Sequence, residues 1–247
     1  CINTVARHGF SGTVFRTDSK DILILAHTGD VISKYTTSYM IENGWLSRPI
    51  IYMPDVWTKK LVQSSNWHKI ESEMIMKCHE RNKLGCQFIK ERYEQGKQIL
   101  ALVRLVKHGY VLQDMLVNRF GVEKNDVRYM YGGADTYARK QALLEFKAGK
   151  FPILIGSSIY NEGVDLPKIQ AAVNFSGGNS DIATIQRLGR AIRKMKPEGV
   201  SDVDTQEEQT VDYMDFYDQS HNFVRRHSQG RLRLYKDEKH TIDRMRE

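Results

Sequence analysis

The sequence predicts an α/β fold built around a parallel sheet, and two features of residues 98–198 indicate it. Short apolar runs recur there, and helical patterns of about 10 to 15 residues separate them, as βαβ units require. The first run, Ile99–Val103, is apolar at every position, which is typical of a strand covered on both faces. We therefore expect helices on both faces of the sheet.

The elements of this region alternate regularly along the chain. The predicted strands are residues 99–103, 127–131, 152–156 and 171–175. The predicted helices are residues 111–119, 136–148 and 181–195, the last of which ends before Pro197. Upstream, residues 1–55 read as short strands and turns, including an apolar run at 21–26, and residues 56–97 read as polar helix.

The composition is that of an ordinary globular protein, with 247 residues, 40% hydrophobic and 27% charged. It excludes collagen-like, low-complexity and disordered chains. No apolar run approaches the roughly 18 residues that span a bilayer, so no membrane partner is expected. The three cysteines show no zinc spacing and favour a reducing, intracellular compartment. A net charge of +7 suits a polyanionic partner such as nucleic acid.

The tail divides by charge. Residues 201–218 carry seven acids and no Lys or Arg, whereas residues 219–247 carry eight bases against four acids. A solvated linker followed by a surface helix explains this pattern, and so does a basic surface that touches phosphates.

The most informative segment is Gln186–Arg193. On a helix at about 100° per residue, Gln186, Arg190 and Arg193 fall within a sector of about 60°. Two guanidinium groups held side by side suit the oxygens of a phosphoryl group under transfer. An amphipathic helix with a solvated basic face remains the alternative when the segment is taken alone.

A second polar segment, Ser157–Pro167, follows a predicted buried strand. Ligands of open parallel sheets bind at the carboxyl ends of the strands, where this segment must begin. Gly163 permits close approach of the backbone, Asp165 can accept from a ribose hydroxyl, and Ser157 can donate to a phosphate. A structural loop with an Asx turn would explain these residues equally well.

Residues 98–198 resemble the second RecA-like domain of superfamily 2 helicases and translocases. Ser157–Pro167 is similar to motif V, and Gln186–Arg193 to motif VI in its Q-x-x-G-R-x-x-R form. Val103–Gly109 occupies the place of motif IV and resembles the UvsW type of phage branch-migration helicase. Ser11-Gly12-Thr13 is similar to motif III of the UvsW and XPB groups, with Gly12 where many relatives have Ala.

The resemblance implies a role for each matched residue. Arg190 and Arg193 would be catalytic arginine fingers that reach the γ-phosphate of ATP. Gly163, Asp165 and Gln186 would bind ATP; Ser11, Gly12 and Thr13 would couple hydrolysis to nucleic acid; Ser157, His108 and Gly109 would contact the DNA backbone from strand-end loops. Trp45, Trp57, Trp67, Tyr110 and Phe223 are available for base stacking, although aromatic residues are more often core.

The resemblance also implies a division of the chain. Residues 1–55 would end a first RecA-like domain, 56–97 would form a helical linker or insertion, 98–198 the second RecA-like domain, and 199–247 a small C-terminal extension. The phosphate-binding loop and the Asp-Glu pair that holds Mg²⁺ in complete members have no counterpart here. Since the chain opens at Cys1, we expect that domain and its Mg²⁺ ligands upstream, and no ATPase activity from this chain alone.

These features predict the C-terminal half of an ATP-dependent DNA helicase in the cytoplasm, which would be that of the host cell if, as the resemblance to the UvsW type implies, a phage encodes the chain. Its partners would be ATP, the upstream domain and forked, branched or single-stranded DNA, held through the backbone. The alternatives are a restriction-system translocase subunit, an RNA helicase, and a nucleic-acid-binding module without a motor.

Overall fold

A computed structural model describes residues 9, 21–59, 62–157, 169–178 and 210–244. Its helices are α1 (Asp21–Thr28), α2 (Thr37–Glu42), α3 (Trp67–Glu71), α4 (His79–Glu94), α5 (Val106–Asn118), α6 (Thr136–Lys147) and α7 (Asn222–Asp237). Its strands are β1 (Arg48–Tyr52), β2 (Asp55–Val56), β3 (Ile99–Leu102), β4 (Val127–Met130), β5 (Ile153–Gly156), β6 (Ala171–Asn174), β7 (Thr210–Met214), β8 (Tyr217–Asp218) and β9 (Thr241–Asp243). A π-helical turn (Ser72–Met76) continues α3, and a 3₁₀ turn (Lys124–Asp126) precedes β4.

Seven of these strands form one parallel sheet in the order β4-β5-β3-β6-β7-β1-β9. Every described pair in it is parallel, and the central strand β3 places Leu100 between Leu154 of β5 and Ala172 of β6. The short strands β2 and β8 make a separate parallel pair. The predicted parallel α/β sheet is confirmed.

The core lies on both faces of the sheet because successive β3 side chains alternate between them. Ile99, Ala101 and Val103 pack on one face with residues of α4 and α5, such as Phe88 and Leu112. Leu100 and Leu102 pack on the other face with Phe146 of α6 and Tyr235 of α7. Helices therefore cover both faces, as the apolar strands predicted.

The sheet extends beyond the predicted limits of 98–198. Strand β1 lies in the segment assigned to a preceding domain, yet it pairs with β7 from Arg48↔Thr210 to Tyr52↔Met214. Residues 56–97, predicted as a helical linker or insertion, contribute Cys86, Phe88 and Ile89 of α4 to the same core. Elements on both sides of the predicted boundaries at 55/56 and 97/98 thus pack together, and the boundary at 198/199 lies outside the described residues. The pairing that joins these segments is long-range and leaves no local signal.

Two local predictions also differ from the structure. Residues 21–26, read as a strand, lie in α1, because a short apolar run alone does not separate strand from helix. Part of the acidic segment 201–218 forms the buried strand β7. Its Asp212 accepts from Arg92 Nε at 3.2 Å and from Lys97 Nζ at 2.7 Å. The two cations compensate the negative charge of this buried carboxylate.

Within the described ranges, no helix combines the length and apolar character that a membrane crossing needs.

Candidate functional site

The carboxyl edge of the sheet is the candidate site, because parallel strands direct all their carboxyl ends to it. Strand β5 ends at Gly156, where the predicted motif V segment begins. Strand β6 ends at Asn174, and the described residues 175–178 lead toward the predicted motif VI helix. Since β3 lies between β5 and β6, both segments depart from the same edge, one strand apart.

Most of the predicted site residues lie outside the described part of the chain. They are Ser11, Gly12, Thr13, Gly163, Asp165, Gln186, Arg190 and Arg193. Their assigned roles stay predictions. The described residues show instead how the neighbouring edge is built.

His108 differs from its predicted place in a strand-end loop. It lies in the first turns of α5 and is 1% exposed. Asn82 donates through Nδ2 to the Met76 carbonyl, so its Oδ1 faces His108 and accepts from Nε2 at 2.9 Å. Burial, assisted by the charge of Arg81, lowers the pKa of His108 to about 3, which keeps the imidazole neutral. The buried side chain joins α5 to α4 and is not open to a DNA backbone.

Gly109 also lies in α5 rather than in a loop, and it is buried. A Cβ at this position would stand 2.2 Å from Cζ of the Tyr129 ring. The absence of a side chain therefore lets Tyr129 of β4 lie directly against the helix. The Tyr129 hydroxyl donates to the Val106 carbonyl at 2.9 Å, which fixes the ring at the start of α5.

Ser157 does lie at the predicted place. It directly follows β5, its amide donates to the Met130 carbonyl at 3.1 Å, and its buried hydroxyl lies near Tyr129 without a hydrogen-bond partner among the described residues. The side chain is 4% exposed in the described structure. A contact with DNA stays a prediction for this residue.

A buried network of ions closes the edge beyond β6 and β7. Arg81 of α4 donates through Nε to Asp218 Oδ1 at 3.2 Å and through Nη1 to the Phe175 carbonyl at 2.9 Å. Its guanidinium carbon lies 4.0 Å from the centre of the Phe216 ring. Burial lowers the pKa of Arg81 and raises that of Asp218, and their mutual attraction opposes both changes.

Arg231 of α7 forms the second half of this network, so it is not on the basic surface that the tail charge suggested. It donates to Asp215 Oδ2 at 2.7 Å and to the carbonyls of Phe216 at 3.0 Å and Gly178 at 2.9 Å. Burial opposes its charge, but Asp215 raises the pKa of Arg231 above the ordinary value. The bond to Gly178 anchors the chain just before the segment that carries the predicted arginine fingers.

A third arginine stands at the end of β3. Arg104 donates through Nε and Nη2 to the two carboxylate oxygens of Glu71, a buried residue of α3. Two parallel bonds of this kind fix the plane of a guanidinium group. The pair joins the edge to the π-helical turn that follows α3, whose Ile75 packs against Gly177.

Gly177 has φ +63°, and a Cβ there would stand 2.4 Å from Ile75 Cδ1. Both the backbone and the contact require glycine.

Two buried polar atoms at the end of β6 have no hydrogen-bond partner among the described residues. They are Asn174 Nδ2 and Ser176 Oγ. Unpaired donors at the carboxyl end of a central strand fit a polar ligand such as the nucleotide that the resemblance implies. The part of the chain that the structure describes holds no cluster of acids, His or Cys suited to a metal ion. Nothing in the described donor set therefore supplies the expected Mg²⁺ ligands.

Three tyrosines at the β4 corner were missed as a group by sequence reasoning. Tyr110 lies 5.0 Å from Tyr129 and 6.0 Å from Tyr131 between ring centres, and Tyr129 lies 5.5 Å from Tyr131. Only Tyr110 was named as a stacking candidate. The period-2 spacing of Tyr129 and Tyr131 on one strand was the available signal.

The other predicted stacking residues have varied environments. Trp67 packs against His227 at 4.6 Å beside a small apolar cluster, which agrees with the expectation that aromatic residues are mostly core. The ring centre of Trp45 lies 6.0 Å from that of Tyr39, and the ring centre of Phe223 lies 5.8 Å from that of His221. Trp57 is 65% exposed. None of these four joins the tyrosines at the carboxyl edge.

Two solved structures share this fold. The T4 UvsW structure matches with a TM-score of 0.56 at 20% identity, over 80% of this chain and 40% of that one. An HsdR fragment of a type I restriction enzyme from Vibrio vulnificus YJ016 matches with a TM-score of 0.59 at 16% identity, over 82% of this chain and 38% of that one. At these identities the likeness shows the fold alone.

Sequence comparison shows which proteins are similar to parts of this chain. UvrABC system protein B of Idiomarina loihiensis is 30% identical over 112 residues, which are 43% of this chain and 16% of that protein. The ATP-dependent RNA helicase DBP10 of Vanderwaltozyma polyspora is 40% identical over 67 residues, which are 27% of this chain and 7% of that protein. Residues 80–195 match the model of the helicase conserved C-terminal domain. Residues 80–195 are therefore similar to the C-terminal domain of helicases, and the chain spans only a small part of the length of these relatives.

Proposed function

We propose that this chain is the C-terminal half of an ATP-dependent superfamily 2 DNA helicase or translocase that unwinds or branch-migrates forked and recombination DNA. The observation that carries the proposal is the common origin of the two motif segments. Ser157, which opens the first segment, and residues 175–178, which precede the second, follow β5 and β6 at the carboxyl edge, on either side of β3. A phosphate-directed helix and a nucleic-acid-directed loop at one edge suit an ATP-driven motor.

In this proposal the chain supplies part of an ATP site that a preceding RecA-like domain completes. Arg190 and Arg193 bind the γ-phosphate, and Gly163, Asp165 and Gln186 face the rest of the nucleotide. Bound Mg²⁺ would neutralise phosphate charge, and its ligands would belong to the preceding domain. Arg231 holds Gly178 and thereby fixes where the finger segment begins.

Nucleic acid is bound through its backbone at the same edge, near Ser157. Loss of the γ-phosphate contact after hydrolysis releases the fingers, so the two domains move relative to each other and along the strand. This chain alone hydrolyses no ATP. Backbone binding carries no base information, and its affinity falls steeply with salt.

The motor assignment is tested by Arg193→Ala in the complete protein. Because an arginine finger contributes roughly 10³–10⁵-fold to hydrolysis, DNA-stimulated ATPase should fall by a factor of that order. Arg119→Ala is the matched control. Arg119 is exposed at the end of α5, at the opposite edge of the sheet, and its loss should leave the rate unchanged. A near wild-type rate for Arg193→Ala would remove the motor role of this helix.

The DNA assignment has a specific competitor, since a segment of an RNA helicase is 40% identical over 67 residues. ATPase activity of the complete protein is compared with forked DNA, plain duplex and RNA of equal length. We expect the forked DNA to stimulate most strongly. Stronger stimulation by RNA would assign the chain to an RNA helicase, and by plain duplex to a duplex translocase of the restriction type.

A further inference from the structure

An exposed cluster of aromatic rings stands at the β4 corner of the carboxyl edge. Tyr129 and Tyr131 lie on and just after β4, which is the terminal strand of the sheet, and Tyr110 reaches them from α5. The Tyr110 and Tyr129 rings meet edge to face at 85°, while those of Tyr129 and Tyr131 lie within 34° of parallel. The cluster is therefore ordered by its own ring contacts.

The cluster reaches the surface, since Tyr129 and Tyr131 are partly exposed and Tyr110 more so. Tyr110 is 51% exposed, and Val106 beside it is 42% exposed. Two exposed glycines, Gly132 and Gly133, follow Tyr131, and a Cβ at Gly133 would stand 3.3 Å from its ring. The chain thus places its smallest residues where a side chain would crowd or cover Tyr131. An apolar surface kept open in this way indicates a binding site.

We propose that Tyr110 and Tyr131 form a stacking platform for the unpaired bases of a single-stranded nucleic acid that crosses the carboxyl edge. The inference rests on the proposed function and deepens it, because that function assigns only backbone contacts. Base stacking on tyrosine tolerates any sequence, since every base has a π face. Stacking would raise the affinity for single strands. A duplex would not gain this interaction, because its bases already stack on one another.

Three features favour nucleic acid as the occupant. Ser157, the predicted backbone contact, lies near Tyr129, so a phosphate bound there would lie beside the rings. Lys107 is exposed on the first turn of α5, next to the Val106 carbonyl that holds Tyr129. The chain also carries a net charge of +7. Flat aromatic rings next to a basic, phosphate-directed track are the combination that single-strand binders use.

The decisive experiment separates bases from phosphates. The affinity of the complete protein is measured by fluorescence anisotropy for a labelled thymidine oligonucleotide and for an abasic oligonucleotide of equal length. The wild-type protein should bind the thymidine strand at least about five-fold more tightly, because stacking one base contributes at least that factor. Tyr110→Leu with Tyr131→Leu should bring this ratio close to one and leave the abasic affinity unchanged.

Two control variants bracket the result. Tyr110→Phe retains the ring and should retain the ratio. Tyr137→Leu removes a tyrosine that is 76% exposed on α6 and has no described ring contact with the cluster, so it should also retain the ratio. Far-ultraviolet circular dichroism and urea midpoints establish that each variant is folded.

The outcomes distinguish this inference from the function on which it rests. Equal wild-type affinity for the two strands overturns the stacking platform alone. An equal loss of both affinities in the double variant also overturns it, since the rings would then serve the phosphate track or the fold. Failure to bind either strand contradicts the proposed function itself.

Discussion

The two halves of the carboxyl edge are built on opposite principles. Beyond β6 and β7, Arg81, Asp215, Asp218 and Arg231 are each at most 3% exposed and satisfy one another. At the β4 corner, Tyr110 is exposed, and Tyr129 and Tyr131 are partly exposed. Charged side chains, which are usually exposed in proteins, are buried in the first half. Aromatic side chains, which are usually buried, reach the surface in the second half.

We call the buried ion pairs Arg81–Asp218 and Arg231–Asp215 the frame. We call the tyrosines at the β4 corner the contact surface. Buried ion pairs with several hydrogen bonds hold one geometry, because any displacement leaves a charge unpaired in the interior. The Arg231 bond to Gly178 extends that rigidity to the start of the predicted finger segment. The exposed ring of Tyr110 contributes little to the fold and is free to receive a ligand. The variants below test whether the division is real, beginning with the largest expected effect.

Arg231→Met should break the frame. It leaves the Asp215 carboxylate buried without its cation, and loss of one partner of a buried pair costs about 3–5 kcal/mol. The free energy of unfolding in urea measures the effect. Arg231→Met combined with Asp215→Asn should recover part of it, because the uncompensated charge is gone.

A matched surface pair provides the control for Arg231. Lys90 and Glu94 stand 3.3 Å apart on α4 at a partly exposed position. Lys90→Met should cost no more than about 0.5 kcal/mol. If Arg231→Met were as mild as Lys90→Met, the buried network would not be a frame.

Gly109→Ala should disturb the boundary between the two halves. The added Cβ would meet the Tyr129 ring at 2.2 Å, so the ring must move away from α5. Overpacking costs about 1–3 kcal/mol, which exceeds the gain of up to about 1 kcal/mol in helix propensity. Urea unfolding should show net destabilisation, and Tyr129→Leu in the same chain should relieve it. Stabilisation by Gly109→Ala alone would contradict the described contact.

The pH dependence of stability should report the buried His108. Its folded pKa of about 3 lies below the ordinary value of 6.5, so the unfolded chain binds a proton that the folded chain refuses. The free energy of unfolding is therefore unaffected by the titration of His108 above about pH 6.5. It decreases progressively as the pH falls toward 3. The cost of this one group approaches about 1.4 kcal/mol per pH unit well below its unfolded pKa.

His108→Gln is the variant that isolates this effect. It keeps a side-chain donor for Asn82 but does not titrate, so the loss of stability between pH 6 and 4 should be shallower than in the wild type. His227 and His240, whose pKa values burial also lowers, contribute in both proteins and cancel in the comparison. Identical acid limbs would show that His108 is accessible to protons in the folded state.

Tyr110→Leu should have the smallest effect on the fold. The side chain is exposed, and its contacts are with two other rings of the same cluster. The urea midpoint should be indistinguishable from that of the wild type. A clear destabilisation would place this ring in the frame and remove the contrast between the two halves.

The sheet was predictable where burial is complete on both faces. Residues 99–103, 127–131, 152–156 and 171–175 became β3, β4, β5 and β6 within one residue at each end. Strands β3, β5 and β6 are fully buried, and a covered strand is apolar at nearly every position, whereas the terminal strand β4 is only partly buried. Strand β7 carries Asp212 and sits in an acidic run. Its charge is compensated by Arg92 and Lys97, more than a hundred residues earlier, which no local pattern reveals.

The sequence predicted at which edge of the sheet the candidate site lies, but it did not predict the contacts within the site. The loop after β5 begins where the sequence placed it, since strand order fixes the side on which loops emerge. His108 and Gly109 were misplaced because α5 begins at Val106, earlier than the apolar pattern suggested. Arg231 looked like a surface base for a similar reason, as its partner Asp215 is hidden in the acidic segment.

The central claim is that nucleic acid meets the carboxyl edge of the sheet, and photochemical cross-linking tests it most directly. The complete protein is irradiated with a single strand carrying 5-iodouracil, and the joined residues are identified by mass spectrometry. We predict cross-links to Tyr110 or Tyr131 and to the peptide that contains Ser157. Cross-links confined to the opposite edge, at residues 119–126 or 148–152, would contradict the account.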